Sequence, residues 1–330
     1  MEESDQTTRA LLKVEGLQKF FPVRSGLLQK VIGWVKAVDG VDLEIWPGKT
    51  LGLVGESGCG KSTVGRLLLR LMEPDRGTIL YKGRDISKLA QKELKPLRKE
   101  MQIIFQDPFG SLNPRMTVGQ SIAEGLRIRG VKNAQERKTQ VRNLLEMVGI
   151  ASEAADFYPH EFSGGQRQRI GIARALSVEP SLIVCDEPVS ALDVSIQSQI
   201  LNLLKELQNR LGLSYLFISH DLNVVGYMSD TVAVMYLGHI MEFAPADVLY
   251  EHYLNPYTVA LFSAIPSTDP DEQYEPQALT GEVPSAFNPP PGCKFQGRCP
   301  IVEDRCRQGE IKMYRVGEAH GCRCWKVVGD

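Results

Sequence analysis

A glycine-rich stretch followed by a lysine and two hydroxyl residues has the spacing of a phosphate-binding loop. Residues 55–63 read Gly-Glu-Ser-Gly-Cys-Gly-Lys-Ser-Thr, after the apolar run Thr50–Val54 and before the helical pattern Lys61–Met72. Glycines let backbone N–H groups turn toward phosphate oxygens, and the start of a helix adds a positive field. Lys61 supplies a charge for the β- and γ-phosphates, and the Ser62 hydroxyl suits Mg²⁺. We therefore predict a nucleotide site that includes Gly55, Ser57, Gly58, Cys59, Gly60, Lys61, Ser62 and Thr63.

Two adjacent carboxylates follow a second apolar run, Leu182–Cys185. At the end of a strand, Asp186 can hold Mg²⁺ through water, and Glu187 can orient and deprotonate an attacking water molecule. A solvated acidic turn has the same residue types, but the position of this pair downstream of a phosphate loop favours the catalytic interpretation. The two motifs together indicate hydrolysis of a nucleoside triphosphate.

A third motif places small residues at the predicted start of a helix. Residues 162–169 read Phe-Ser-Gly-Gly-Gln-Arg-Gln-Arg, and the helix is predicted to run to about Ser177. Exposed N–H groups at Ser163 and the two glycines would form a second anion site. Because the sequence has one phosphate loop, a second γ-phosphate site is useful only if two chains share their nucleotides.

With this motif the sequence resembles the ATP-binding subunits of ABC transporters, over about residues 10–265. Phe162 stands where the LSGGQ signature of that family has leucine. The resemblance implies that the signature of one subunit caps ATP held on the facing subunit, here through Ser163, Gly164, Gly165 and Gln166.

The same resemblance implies roles for four further residues. Gln106 would contact Mg²⁺ and couple the nucleotide state to a membrane partner. Asp193 ends the sequence Ser-Ala-Leu-Asp, which would lie across the dimer interface. His220 would lie at the γ-phosphate, and Phe21 would stack on adenine, where the family more often has tyrosine.

The elements that would carry these motifs alternate between strands and helices. Runs of apolar and β-branched residues predict strands over 11–17, 37–45, 50–54, 78–81, 101–105, 181–185, 215–219 and 231–236. We predict an α/β fold, and the resemblance implies its type: a P-loop NTPase domain of the ABC kind. Such a domain has a RecA-like core, an antiparallel β subdomain and a helical insertion, here at about 107–178. The apolar stretch at 26–35 is expected to form a β-hairpin or a loop folded onto this domain.

Composition and charge restrict the class of protein further. The 330 residues include 38 Lys and Arg against 40 Asp and Glu, so a globally basic nucleic-acid binder is not expected. No apolar run reaches the length of about 18 residues that a membrane-spanning helix needs. The first ten residues are polar and lack the features of a signal peptide, so we expect a cytosolic chain whose cysteines are thiols or metal ligands.

Five of the seven cysteines lie within residues 293–330, after a segment rich in Pro, Asp, Glu, Ser and Gln at 266–291. That composition is typical of a linker, so we divide the chain into domains at 1–265 and 266–330. The spacing C-x5-C-x6-C-x15-C-x-C fits poorly with the closely spaced cysteine pairs of structural zinc sites. Thiolates in a loop-rich domain suit an iron–sulfur cluster at least as well.

This segment resembles the C-terminal extension of the oligopeptide/dipeptide ABC transporter family, whose ATP-binding subunits can carry a [4Fe–4S] cluster. The resemblance implies cluster ligands at Cys293, Cys299, Cys306 and Cys324, with Cys322 as an extra thiol that could replace the fourth ligand. Zinc held by three cysteines and His320 is the alternative. Because the ATP motifs end before residue 221, we expect a structural cluster whose loss disorders the extension but leaves the nucleotide pocket intact.

We therefore predict an ATP-binding and ATP-hydrolysing subunit, dependent on Mg²⁺, that powers the import of dipeptides or oligopeptides from the cytoplasmic face of the cell membrane. The expected partners are a second ABC ATPase subunit, paralogous or identical, two transmembrane permease subunits and, indirectly, an extracytoplasmic solute-binding protein. Nucleic acid is not an expected partner. Two alternatives stay open: an importer of nickel or another solute, and a soluble ABC-type ATPase that acts on nucleic acid and has a zinc-binding tail.

Overall fold

The structure, a computed structural model, describes residues 9–26, 29–107, 110–264, 284–317 and 319–327. Two compact units are present, each assembled from separate segments of the chain. The first unit comprises the described residues of Met1–Arg9, Ile45–Thr50 and Leu89–Ile218. The second unit comprises the described residues of Ala10–Glu44, Leu51–Lys88 and Ser219–Asp330. The cysteine-rich residues 284–327, called the tail below, thus belong to the second unit, and most of the predicted linker lies outside the described residues.

Strands and helices alternate along the chain, which is the predicted α/β pattern. The strands among the described residues are β1 (Leu12–Ser25), β2 (Lys30–Ile45), β3 (Thr50–Val54), β4 (Arg76–Tyr81), β5 (Arg84–Asp85), β6 (Met101–Ile104), β7 (Leu182–Asp186), β8 (Ser214–Ile218), β9 (Thr231–Tyr236), β10 (His239–Pro245), β11 (Tyr314–Arg315) and β12 (Gly321–Cys322). The helices are α1 (Lys61–Leu68), α2 (Gln91–Glu100), α3 (Val118–Arg129), α4 (Ala134–Met147), α5 (Gly164–Leu176), α6 (Val194–Leu211), α7 (Leu222–Met228), α8 (Ala246–Glu251) and α9 (Pro256–Phe262). Within the part of the chain that is described, no helix combines the length and apolar composition needed to cross a bilayer.

In the first unit, β6, β7 and β8 pair in parallel with β7 in the middle. Every residue of β7 and β8 is buried, which agrees with their continuous apolar sequences and with the covered faces of parallel sheets. The register of the two strands places Asp186 opposite Ile218 at their carboxyl ends. The sheet therefore presents the first of the two predicted carboxylates at its carboxyl edge, where ligands of α/β proteins bind.

Helices α3, α4 and α5 form the predicted helical insertion between β6 and β7. Each begins after a polar residue whose side chain accepts a hydrogen bond from the first turn: Thr117, Asn133 and Ser163. These caps satisfy N–H groups that have no partner inside the helix. The helices contact one another, and each contributes buried apolar residues: Ile122, Leu126, Val141, Leu145 and Ile170.

The second unit contains two groups of paired strands. One is antiparallel, in the order β2–β1–β4–β5, and corresponds to the predicted antiparallel subdomain. In the other, β3 pairs in parallel with β9, and β9 pairs with β10 in antiparallel fashion. The tail extends this second group, because β12 pairs with β10 opposite Glu242 and Phe243, and β11 pairs with β12.

The first two strands are longer than predicted. β1 continues to Ser25 and β2 begins at Lys30, so most of the apolar stretch 26–35 lies at the end of a hairpin. Val31, Ile32 and Trp34 are exposed there. Since these extensions bury little on either face, they lack the alternation of buried and exposed residues from which strands are predicted, and their stability comes from pairing with neighbouring strands.

Candidate functional site

The phosphate loop (residues 55–60) joins β3 to α1 and turns on glycines. Gly55, Gly58 and Gly60 have φ angles of 149°, 79° and 111°, a region that residues with side chains rarely adopt. A Cβ atom on Gly55 would lie 2.1 Å from the Met235 carbonyl oxygen, and one on Gly60 would lie 2.1 Å from that of Ala37. The conformation of the loop therefore depends on glycine at these positions.

Lys61 is the first residue of α1 and is only 5% exposed. Its Nζ donates to the carbonyl oxygens of Gly55 at 2.7 Å and Glu56 at 3.0 Å. Both acceptors are neutral, so a phosphate oxygen would be a stronger partner for this ammonium group. The first turn of α1 has no acidic residue and no side-chain cap, so no carboxylate there repels an anion at the positive end of the helix. Ser62 and Thr63 are half-buried in that turn, and Ser57 is exposed on the loop.

Cys59 is buried in the phosphate loop, where its Sγ lies 3.9 Å from Lys61 Nζ. Burial raises the pKa of this thiol above its ordinary value, and the nearby ammonium group only partly offsets that effect. The neutral thiol is the form favoured by burial. Cys59 thus acts as a small buried side chain rather than as a reactive thiolate.

Glu187 directly follows β7, and its carboxylate is held by Gln106. Gln106 Nε2 donates to Glu187 Oε2 at 2.9 Å, and the Glu187 N–H donates to the Ile218 carbonyl oxygen at 3.0 Å. The φ angle of Glu187 is 48°, a left-handed backbone conformation that costs a residue with a side chain about 1 kcal/mol. Such strain persists where the surroundings impose it, often at functional sites. The first unit thus brings two predicted residues, Gln106 and Glu187, into contact beside the buried Asp186.

The signature residues form the start of α5, where Ser163 and Gln166 cap each other. Ser163 Oγ accepts from the Gln166 N–H at 3.3 Å, and Gln166 Oε1 accepts from the Ser163 N–H at 2.9 Å. Gly164 lies next to Leu192, whereas Gly165 packs against Ile196 of α6 so closely that a Cβ atom would lie 2.5 Å from Ile196 Cγ2. Ser163 and Gln166 are exposed, which leaves this helix start accessible to a ligand.

Asp193, His220 and Phe21 occupy exposed or half-buried positions. Asp193 precedes α6 without a side-chain capping bond and is exposed. His220 is exposed between β8 and α7. Phe21 is half-buried on β1, with Lys19 Nζ 5.8 Å from the centroid of its ring. Its neighbour Phe20 packs instead near Lys36, whose Nζ lies 5.3 Å from that ring. These positions are compatible with ligand contacts, and the assignment of roles to them stays a prediction.

Four cysteines of the tail line a single cavity, which we call the thiol cavity: Cys293, Cys299, Cys306 and Cys324. Its wall is otherwise largely apolar and includes Phe295, Ile311 and Trp325, and the Trp325 indole N–H donates to Cys306 Sγ at 3.3 Å. Burial raises the pKa of Cys293 to about 11 and raises the pKa values of Cys299 and Cys324 as well. Among the described residues, no group of three or more His, Cys, Asp or Glu side chains has the arrangement of a bound metal ion.

Cys322 and His320 do not line the thiol cavity. Cys322 is fully buried in β12, where Asn255 Nδ2 donates to its Sγ at 3.7 Å. His320 lies on the buried carboxylate of Glu242, with 2.8 Å between Nε2 and Oε1. The alternative zinc site of three cysteines and His320 therefore has its histidine bonded elsewhere, and Cys324 rather than Cys322 joins the other three thiols.

Further contacts to the phosphate loop come from Arg298 and Tyr257, which no motif in the sequence singles out. Arg298 of the tail forms two hydrogen bonds with the Glu56 carboxylate, at 2.7 and 3.0 Å. The Tyr257 hydroxyl accepts from the Glu56 N–H at 3.0 Å. No local sequence pattern predicts the contact between Arg298 and Glu56, because the two residues are separated by 242 positions in the chain.

The chain matches the ABC transporter family over residues 38–190 and the oligopeptide/dipeptide transporter C-terminal region over residues 241–306. It is 51% identical over 317 residues to the oligopeptide transport ATP-binding protein AppF of Bacillus subtilis, covering 95% of this chain and 96% of that protein. It is 52% identical over 318 residues to a Brucella ovis protein named as a peptide import ATP-binding protein, covering 96% of this chain and 98% of that protein.

Two solved structures share the fold. The dimeric, post-hydrolysis structure of the ATP-binding cassette MJ0796 with ADP and Pi has a TM-score of 0.64 and 27% identity, covering 71% of this chain and 98% of that one. CbiO1 from Clostridium perfringens, part of an ABC transporter complex, has a TM-score of 0.63 and 29% identity, covering 74% and 91%. The phosphate loop, the Gln106–Glu187 pair and the tail thus occur together in a chain that belongs to the ABC transporter family, among the ATP-binding proteins of its oligopeptide and peptide transporters.

Proposed function

We propose that this chain hydrolyses ATP to power peptide import through separate membrane permeases. The observation that carries the ATPase part is the hydrogen bond between Gln106 and Glu187 at the end of β7, in a chain that also has a glycine-dependent phosphate loop. The peptide part is supported by the names of relatives that match nearly the whole chain.

In this proposal the phosphate loop binds the β- and γ-phosphates. Lys61 Nζ donates to two carbonyl groups of the loop. In the ATP-bound chain it would also donate hydrogen bonds to phosphate oxygens. The N–H groups of the loop glycines and of the first turn of α1 would supply further donors. Phe21 would stack on the adenine ring.

Ser62, Gln106 and Asp186 would hold Mg²⁺, since hydroxyl, amide and carboxylate oxygens are the ligands that this ion prefers. When bound, Mg²⁺ neutralises negative charge on the phosphate oxygens. Glu187 would accept the proton of the attacking water, and Gln106 would fix the orientation of its carboxylate. His220 would donate to the γ-phosphate.

The exposed start of α5 supports a shared nucleotide. Ser163, Gly164, Gly165 and Gln166, with Asp193, would face ATP bound to a second ATPase subunit, either a paralogue or a second copy. The solved relative MJ0796 is a dimer. Closure of such a pair around ATP would move two transmembrane permease subunits, and a solute-binding protein outside the membrane would deliver the peptide. The chain would then act peripherally at the cytoplasmic face of the membrane.

The experiment for this function has two arms. We would isolate native membranes, recover the proteins that accompany this chain, and measure Mg²⁺-dependent ATP hydrolysis with and without dipeptides and oligopeptides. We expect permease subunits in the complex and hydrolysis that rises with peptide. Stimulation by nickel or by another solute would overturn the peptide assignment. Stimulation of the isolated chain by DNA or RNA would favour the nucleic-acid alternative instead.

We propose further that the thiol cavity holds a [4Fe–4S] cluster. Four thiols from separate segments of the tail meet at one largely apolar cavity, a donor set that suits such a cluster. Cys293, Cys299, Cys306 and Cys324 would be the ligands, and each must lose its proton to bind iron, so the raised pKa of Cys293 makes loading compete with protonation. The cluster would tie together loops that share little other secondary structure.

Two matched cysteine variants test this proposal. Protein purified without oxygen should be brown and contain about four iron and four sulfide per chain. Cys324→Ser should lose the colour and the iron, whereas Cys322→Ser should keep both, because Cys324 lines the cavity and Cys322 does not. One zinc per chain in colourless anaerobic protein would overturn the cluster, and loss of iron in Cys322→Ser alone would overturn the choice of ligand.

A further inference from the structure

Arg298 forms the only described ion pair between the tail and the phosphate loop. Its Nη1 and Nη2 atoms each donate to a different oxygen of Glu56, so the guanidinium plane and the carboxylate meet as a bidentate pair. The side chain of Arg298 is 5% exposed and that of Glu56 is 21% exposed. A pair that is this well shielded from water is stronger and more selective in geometry than a surface ion pair.

Three buried rings fix the position of Arg298. This aromatic cluster consists of Tyr236, Tyr257 and Phe295, whose centroids lie 4.6–5.5 Å apart. The Arg298 guanidinium carbon lies 5.9 Å from the Tyr236 centroid and 6.0 Å from that of Phe295. The backbone N–H of Arg298 also donates to the Phe295 carbonyl oxygen at 3.0 Å. Arg298 is therefore placed by the body of the second unit and by its own turn.

Glu56 in turn connects this anchor to the residue that would bind phosphate. Its carbonyl oxygen accepts from Lys61 Nζ at 3.0 Å, and its N–H donates to the Tyr257 hydroxyl of the aromatic cluster. Glu56 is thus held at its carboxylate and at its N–H by residues outside the loop. Any shift of Glu56 changes the position of a carbonyl group that Lys61 contacts.

The same turn of the tail carries two thiols of the thiol cavity. Arg298 lies between Cys293 and Cys299 in the sequence, and Phe295 belongs both to the cavity wall and to the aromatic cluster. The Cys293 N–H donates to the Cys306 carbonyl oxygen at 2.8 Å. A ligand bound to these thiols would fix residues 293–299, and this would keep the Arg298 side chain in contact with Glu56.

We propose that Arg298 is a positioning residue for ATP binding: it holds Glu56 and, through it, the phosphate loop, so that the state of the thiol cavity and the affinity for ATP are coupled. This inference replaces the expectation that loss of the cluster leaves the nucleotide pocket intact. It rests on the proposed function, because it requires that the phosphate loop bind ATP. Coupling of this kind is reciprocal, so nucleotide binding must also stabilise the tail.

The first test measures the affinity of the full-length chain for a non-hydrolysable ATP analogue. Arg298→Gln should weaken this affinity by about tenfold, within the range of couplings between sites in proteins. Arg298→Lys keeps the charge but cannot form the bidentate contact, so its affinity for the ATP analogue should lie between those of Arg298→Gln and the wild type. Arg315→Gln is the matched control, because Arg315 is a tail arginine that is exposed on β11 and does not line the thiol cavity.

A double variant separates this role from a general loss of stability. Glu56→Gln and Arg298→Gln remove the two halves of one contact, so the double variant should bind the analogue no more weakly than the weaker of the two single variants. Additive losses would indicate two independent effects and would overturn the proposal. Unfolding midpoints of all variants, compared with Arg315→Gln, identify any loss of affinity caused by unfolding.

The second test uses the thiols of the tail as the readout. In cluster-free chain, the ATP analogue should slow alkylation of Cys293 and Cys299 in the wild type but not in Arg298→Gln, with mass spectrometry separating these thiols from Cys59. If the wild type binds no nucleotide at all, the proposed function itself fails. If the wild type binds the analogue and Arg298→Gln binds it equally well, only this inference fails.

Discussion

The two glycines of the signature motif should respond in opposite directions to the same substitution. Neither has a positive φ angle, so alanine fits the backbone at both positions. At Gly164 an added Cβ atom would meet Leu192 Cδ2 at 3.4 Å, an ordinary contact, whereas at Gly165 it would lie 2.5 Å from Ile196 Cγ2. We therefore expect Gly164→Ala to stabilise the chain and Gly165→Ala to destabilise it.

The size of the effect follows from two opposing terms. Alanine in place of a helical glycine raises the free energy of unfolding by about 0.5–1 kcal/mol, because less conformational freedom is lost on folding. Overpacking costs about 1–3 kcal/mol, and Ile196 cannot relieve it by rotating, because a β-branched side chain in a helix is nearly fixed at χ1. We therefore expect Gly165→Ala to lower the free energy of unfolding by about 1–2 kcal/mol. For a unit of this size, each kcal/mol lowers the melting temperature by about 2–4 °C.

Thermal unfolding of the full chain, followed by circular dichroism, measures both variants under the same conditions. Adding Ile196→Ala removes the methyl group that the new Cβ atom would strike, so the double variant should recover part of the loss as a favourable coupling energy. Equal shifts for the two alanine variants, or no coupling with Ile196→Ala, would refute the packing argument. In that case the second signature glycine would be required for a reason other than its contact with α6.

Four further variants examine the chemistry and the tail. Glu187→Gln should keep ATP binding but slow hydrolysis by about 10²–10⁴-fold, because the attacking water loses its base, whereas Lys61→Ala should weaken nucleotide binding itself; binding and turnover are measured separately. Gly164→Asp should still bind ATP as a monomer but lose ATP-dependent association, because its carboxylate would repel a γ-phosphate. Glu242→Ala should lower the free energy of unfolding by about 3 kcal/mol, since it leaves His320 and the N–H groups of residues 254 and 255 without their buried acceptor.

For three of these variants, one outcome would contradict the reasoning. Near-normal turnover of Glu187→Gln in the assembled complex would remove that carboxylate from its role as base. Joint loss of ATP binding and association in Gly164→Asp would show that the signature does not act on a facing subunit. An unchanged unfolding midpoint for Glu242→Ala would mean that water replaces the buried carboxylate without cost.

The features that the sequence predicted well are those encoded by neighbouring residues. The phosphate loop depends on a strand, closely spaced glycines and a helix start within a few positions, so Thr50–Val54 is predicted to the residue. The continuous apolar run of β9 is likewise predicted at its observed bounds, Thr231–Tyr236. The crowding of five cysteines near the end of the sequence likewise identified the segment in which four thiols line one cavity.

Contacts between distant segments left no such pattern. Arg298 is an ordinary arginine in a polar turn, and only the folded chain shows that it meets Glu56. The buried carboxylate of Glu242 was also missed, because its partners are two backbone N–H groups and a histidine from the tail. Burial of a charged residue among backbone donors depends on tertiary packing, which hydrophobic periodicity cannot report.

The pairing of β12 with β10 has a consequence for the solubility of shortened chains. Without the tail, β10 would be the last strand of its group and would offer unpaired N–H and C=O groups beside Ile240, Met241 and Phe243. An uncovered edge of this kind recruits the same edge of another molecule, and the result is aggregation. A chain that ends before the tail would therefore self-associate even if its ATP motifs were intact, so in this protein the cysteine-rich segment also protects the sheet against intermolecular pairing.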